Sequence, residues 1–189
     1  MNNKMHYFRF LLLGLLSCFL FAACAEDDNE PDIAFVQAVN TDNVKAVKYF
    51  LSHHSDPNTT DKHGTPLITL AIKQRNAPMI KRLLKAGANV EAANEEGQTP
   101  LMIAANQDYV EALKMLLSAG ANINATSDAG STALMYACFQ GNERAVKFLL
   151  KKGANVNVVN KYGDTALSSA TSYGHAPVVE LLRNAGATK

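Results

Sequence analysis

The sequence predicts an all-α solenoid of about five stacked helix–turn–helix units joined by hairpin turns, and three observations predict it. Gly64, Gly97, Gly130 and Gly163 stand 33 residues apart. Gly87, Gly120, Gly153 and Gly186 form a second ladder with the same period. The first ladder also opens a recurring motif: Gly64-Thr-Pro-Leu67, Gly97-Gln-Thr-Pro-Leu101, Gly130-Ser-Thr-Ala-Leu134 and Gly163-Asp-Thr-Ala-Leu167. Each copy leads to Leu-Leu-x-x-Gly-Ala or a near variant, so turn, cap and core positions recur together.

The stretch from Gly130 to Asn157 displays one unit in full. Thr132 is placed to cap a short helix whose apolar face is Ala133, Leu134, Ala137 and Cys138. Gly141-Asn142 breaks that helix, and Ala145, Val146, Phe148, Leu149 and Leu150 repeat the apolar pattern on a second. Glu143 near its start and Lys151-Lys152 at its end suit the helix dipole. Gly153 ends it, because the residue after a helix often needs a positive φ. With its 33-residue period, this unit resembles the ankyrin repeat.

The first 24 residues form a separate segment. Lys4 and Arg9 precede an apolar run from Phe10 to Ala23, which has the length of a secretory signal and falls short of the ~20 apolar residues needed to span a bilayer. Leu20-Phe21-Ala22-Ala23-Cys24 resembles a bacterial lipobox, with Phe21 where Leu is usual and Cys24 as the lipidated residue. By that resemblance, Ala25 after the cysteine favours the outer membrane. Ala23-Cys24-Ala25 also fits ordinary signal cleavage before Glu26, which would give a soluble periplasmic or secreted protein. An uncleaved anchor is the third reading.

Residues 25–32, AEDDNEPD, read as an acidic tether. Residues 33–60 read as a degenerate N-terminal capping repeat, with His54 in the place that Gly87 holds one period later. Residues 61–93 carry an apparent compensated slip: one residue fewer between Gly64 and Thr65, one more near Lys73-Gln74-Arg75, and hence an expected bulge between the two helices. Pro78 fits the first turn of the second helix. Residues 94–126 follow the repeat closely except at Asp108-Tyr109, and 127–159 are the unit described above. Residues 160–189 read as the C-terminal cap, because Ser168, Ser169, Thr171 and Ser172 make the last inner helix polar. The histidine that the ankyrin family carries after Thr-Pro-Leu is replaced by Ile68, Met102, Met135 and Ser168, so apolar packing is expected to serve there.

Composition excludes little but orders the alternatives. The chain is 48% apolar and 19% charged, with no Trp and a net charge of +1. Since Lys4 and Arg9 lie in the leader, the remainder has 16 Lys and Arg against 17 Asp and Glu. That balance offers no electrostatic case for nucleic acid or an anionic membrane, and implies membrane contact only through the lipid anchor. Past the leader only Cys138 remains, so no internal disulfide is possible.

No nucleophile elbow, phosphate loop, Cys-x-x-Cys or His-Glu-x-x-His is present, and no catalytic residue, metal or cofactor is expected. The alternative to binding is a metal or catalytic role for the turn holding His53, His54, Asp56, Asp61 and His63. A purely structural envelope lipoprotein is a further alternative.

The ankyrin resemblance implies instead a monomeric, non-enzymatic module that grips a protein through its concave face. The positions it points to are Lys62 and His63; Glu95, Glu96 and Gln98; Asp128 and Ser131; Lys161, Tyr162 and Asp164. Helix-end positions add Asn106, Gln107, Phe139, Gln140, Ser172 and Tyr173. Phe139, Tyr162 and Tyr173 are either interface anchors or packing residues. Glu95-Glu96 beside Lys62 either read a partner's charge or are solvated. Exported bacterial ankyrin proteins suggest an immunity or inhibitor protein, or an accessory of an envelope enzyme.

Overall fold

The apolar periodicity is realised, in a computed structural model describing residues 30–188, as helix pairs repeated along the chain. In order they are α1 (Glu30–Asn40) and α2 (Val44–Ser52), α3 (Leu67–Lys73) and α4 (Ala77–Lys85), and α5 (Pro100–Asn106) and α6 (Val110–Ser118). Then follow α7 (Ala133–Phe139) and α8 (Glu143–Lys151), and α9 (Ala166–Ser172) and α10 (Ala176–Asn184). The leader and its lipidation candidate Cys24 lie outside the described residues, as does the tether up to residue 29.

Each pair packs on the next. The short first helices α3, α5, α7 and α9 touch in sequence, and so do the longer second helices α4, α6, α8 and α10. Close stacking is possible because the first helices meet through small buried side chains such as Ala71, Ala104, Ala105, Ala137, Cys138 and Ala170. Leu83, Leu116, Leu149 and Leu182, one period apart, are fully buried beneath the second helices. Burial pushes the Cys138 thiol up to about 12, so it stays protonated and inert at neutral pH.

Backbone register is kept throughout, which corrects the expected slip in the second unit. Helices α3 and α5 are 33 residues apart at both ends. Arg75 (φ 56°) occupies the left-handed turn position held by Asp108 (φ 51°) and Gly141 (φ 70°), so no residue bulges out between the helices. The sequence motif is what shifts. Pro66 takes the cap position where Thr132 accepts the Met135 amide at 3.4 Å and Thr165 the Ser168 amide at 3.0 Å. The residue equivalent to Met102, Met135 and Ser168 is therefore Thr69, not Ile68. Position in a stacked helix is set by the turns at its ends, and these tolerate a change of identity at the first helical residue.

The shift leaves the Thr69 hydroxyl fully buried with no hydrogen-bond partner. An unpaired buried hydroxyl is destabilising, so Thr69→Val, which keeps the shape, is expected to stabilise the protein by about 1 kcal/mol. The midpoint of urea unfolding should rise for this variant, with no change in slope.

Candidate protein-binding face

Between each pair and the next, the chain turns through a hairpin built by one side chain. Asp61, Asn94 and Asn160, at the same place in their repeats, each accept two backbone amides on the carboxylate or amide oxygen. Asp61 holds those of His63 and Thr65 at 2.9 and 2.8 Å, and Asn94 those of Glu96 and Gln98 at 3.1 and 2.9 Å. Asn160 holds those of Tyr162 and Asp164, both at 2.9 Å. Ser127 fills the same role with its hydroxyl, at 3.3 Å from the Ser131 amide. Burial raises the Asp61 carboxyl, but the amide hydrogen bonds from Thr65 and His63 together outweigh it and leave the group below its ordinary value.

The hairpin tips stack on one another. The Asp128 amide donates to Glu96 O at 3.2 Å, and the Lys161 amide to Ala129 O at 2.9 Å. Lys62, His63, Glu95, Glu96, Asp128, Lys161, Tyr162 and Asp164 are all exposed along this ridge. Tyr162, 78% exposed, stays at its tip. Gln98 does not join them. It is half-buried, bonded by Asn94 at 3.2 Å, and donates to the Tyr136 hydroxyl at 3.1 Å, so its role is to brace the hairpin.

A second ridge runs along the ends of the first helices. Here the last residue of one helix meets the residue after the next: Gln74 donates to Asn40 Oδ1 at 3.2 Å and Gln140 to Asn106 Oδ1 at 3.1 Å. The third pair in this row is aromatic. Phe139 and Tyr173 bring their ring centroids to 4.4 Å while staying 43% and 56% exposed. Ser172 is exposed beside them, and half-buried Gln107 receives the Arg75 guanidinium on its carbonyl at 2.8 Å. His175 fixes the aromatic end from below, with Nε2 3.0 Å from the Phe139 carbonyl.

Between the ridges lies a shallow groove of about 260 Å³. Ser131, Phe139, Asp164 and Asn106 line it, together with Met135, Tyr136, Asn160 and Ser169. Tyr136 was missed. Its signal was a hydroxyl-bearing ring at a position held one period earlier by Ile103.

This succession of hairpin, inner helix, outer helix and glycine turn is matched by a family model described as ankyrin repeats, in three copies, over residues 35–127 and 124–189. The chain belongs to the ankyrin-repeat family. Ankyrin repeats are in general protein–protein interaction modules, and their stacked tips and first helices form the binding face. No curated protein matches the chain significantly.

The histidine turn is tied up largely in local contacts. His53 is stacked on Tyr49 at 4.0 Å, with Nδ1 2.8 Å from the Tyr49 carbonyl. His54 holds the left-handed helix end (φ 66°), and Asp56 and Asp61 are spent on local amides. Among the described residues no group of three or more His, Cys, Asp or Glu is arranged to hold a metal.

Side-chain hydrogen bonds also join successive repeats. Asn58, Glu91, Asn124 and Asn157 each accept the amide of a residue 31 positions on, at 2.7, 2.6, 2.9 and 3.0 Å. Each repeat is thereby hydrogen-bonded to the next in the segment that leads from its second helix into the hairpin.

Proposed function

We propose that this ankyrin protein is an exported, non-enzymatic binding module of the bacterial cell envelope, anchored through Cys24, which holds a protein partner on the face between the hairpin tips and the first helices. The observation that carries this reading is the Phe139–Tyr173 pair. Two large rings are kept in contact and half in water, at the edge of a shallow groove, where an isolated domain gains nothing by exposing them. Hydrogen-bonding groups of Asn106, Asn160 and Asp164 lie beside the pair and supply directional contacts around an aromatic centre. Such a surface suits an immunity or inhibitor protein that covers an envelope toxin or enzyme, or an accessory that positions one. A neighbouring toxin gene favours the first, a neighbouring oxidoreductase gene the second.

The test is a crosslinked pull-down from the native envelope, comparing the wild-type chain with Phe139→Ala/Tyr173→Ala of unchanged circular dichroism. Buried aromatic anchors contribute about 2 kcal/mol or more each at an interface, so the double variant is expected to retain less than about a tenth of the partner. Equal retention by both forms removes the aromatic pair from the interface.

A further inference from the structure

Charge on this fold is sorted rather than mixed. Of the 16 Lys and Arg that follow the leader, 10 lie on the second helices α2, α4, α6, α8 and α10, where only Glu111, Glu143 and Glu180 oppose them. Lys48, Lys81, Lys114 and Lys147 form a row with the period of the repeat, and all four are exposed. Lys45, Lys85, Arg144 and Lys151 lie one turn away on the same stripes. The hairpin side carries the opposite sign, with Asp61, Glu91, Glu95, Glu96, Asp128 and Asp164 against Lys62 and Lys161.

Little of the basic charge is neutralised. Among the described residues, Glu143 pairs with Lys147 at 3.1 Å and Asp108 approaches Arg144 at 3.8 Å, while Lys48, Lys81 and Lys114 have no acidic partner. Between α6 and α8 the row opens into a groove of about 960 Å³, where Lys114, Arg144, Lys147 and Lys151 surround Leu117 and Phe148.

We propose that the second-helix face lies on an anionic phospholipid surface, with the lysine row against headgroup phosphates and the acidic hairpin tips turned away. Seven of the 10 cations are lysines. Lysine is a flexible point charge suited to a fluid layer of phosphates, whereas recognition of one acidic protein favours the fixed fork of arginine. One lysine in each of the first four repeats, at a helix spacing of about 8–10 Å, makes an extended row of charge that ends at Glu180 on α10 and matches a surface repeating in the same way. The near-zero net charge is no obstacle. The cations stand on the second helices and the anions on the hairpins, and exposed charges farther apart than the Debye length of about 8 Å in physiological salt are largely screened from one another. This contact is independent of the partner-binding face.

The test is vesicle co-sedimentation of the full chain, on phosphatidylcholine alone and on phosphatidylcholine with about one third phosphatidylglycerol, a content that sets the surface charge. The variant is Lys48→Gln/Lys81→Gln/Lys114→Gln/Lys147→Gln, checked by circular dichroism, with Glu95→Gln/Glu96→Gln as control. Each lysine near such a surface contributes on the order of a fivefold gain in affinity. The quadruple variant is therefore expected to lose at least about tenfold in affinity for the anionic vesicles, with binding to neutral vesicles unchanged. The control should keep full affinity for both. Equal affinity of wild type for the two vesicle types, or no loss in the quadruple variant, overturns the proposal. Preference for soluble poly-glutamate over anionic vesicles overturns it as well, by making the face a site for an acidic protein.

Discussion

Replacing Gly97 with alanine is expected to lower the unfolding free energy by about 3 kcal/mol, which is large for the addition of one methyl group at a surface turn. Gly97 has φ +69°, where an L-residue is strained by about 1 kcal/mol. The rest comes from the neighbour. A Cβ at this position would collide with Asp128 Oδ1 and, less avoidably, meet the Asp128 backbone nitrogen at 2.6 Å. A side chain can swing aside, but the backbone of the next hairpin must move as a unit. Moving it breaks the Asp128 to Glu96 hydrogen bond that stacks the two tips. Gly163→Ala is the internal control, because φ is +83° there and nothing lies within 4 Å of the added carbon. It should cost about 1 kcal/mol, the conformational part alone. Urea unfolding followed by circular dichroism separates the two.

Leu116→Ala and Leu182→Ala should behave differently even though both side chains are fully buried at the same place in their repeats. Truncating a buried leucine costs about 2–5 kcal/mol, so the local penalties are alike. What differs is the number of neighbours. Leu116 lies in α6, which packs against both α4 and α8, whereas Leu182 lies in α10, with α8 on one side only. Stability in a stack is a sum over repeats and their interfaces. The central cavity is therefore expected to lower the single unfolding transition by about 3 kcal/mol. The terminal one should detach the last repeat in a separate, earlier step. Amide exchange resolves this: in Leu182→Ala the amides of α9 and α10 should lose protection while those of α5 and α6 keep it.

What could be read from the residues was whatever the period repeats. Two glycine ladders and the Thr-capped helices were enough for the fold, because stacking demands the same turn at the same place each time. The second unit misled because its Thr65-Pro66-Leu67 motif moved by one residue while its backbone did not. Arg75 takes its left-handed turn without being glycine, and that was the overlooked clue. The site was legible position by position but not as a surface. Contact across the helix ends links residues 34 apart, one more than the period, and that offset joins Phe139 to Tyr173, Gln140 to Asn106 and Gln74 to Asn40. Tyr162 looks equivalent to that pair in a list of aromatics, yet it stays at a hairpin tip. Gln98 looks like a tip residue, yet the Tyr136 hydroxyl draws it inward. Net charge concealed most, since a balance near zero gave no hint that cations gather on the second helices and anions at the hairpins.

The most direct test of the binding face is amide exchange on the chain with its captured envelope partner bound. Protection should appear at the hairpin tips, residues 62–64, 95–97, 128–130 and 161–163, and at the helix ends around Phe139 and Tyr173, with α4, α6 and α8 unchanged. Protection confined to those second helices, with the tips exchanging as in the free protein, would contradict the assignment of the partner to this face.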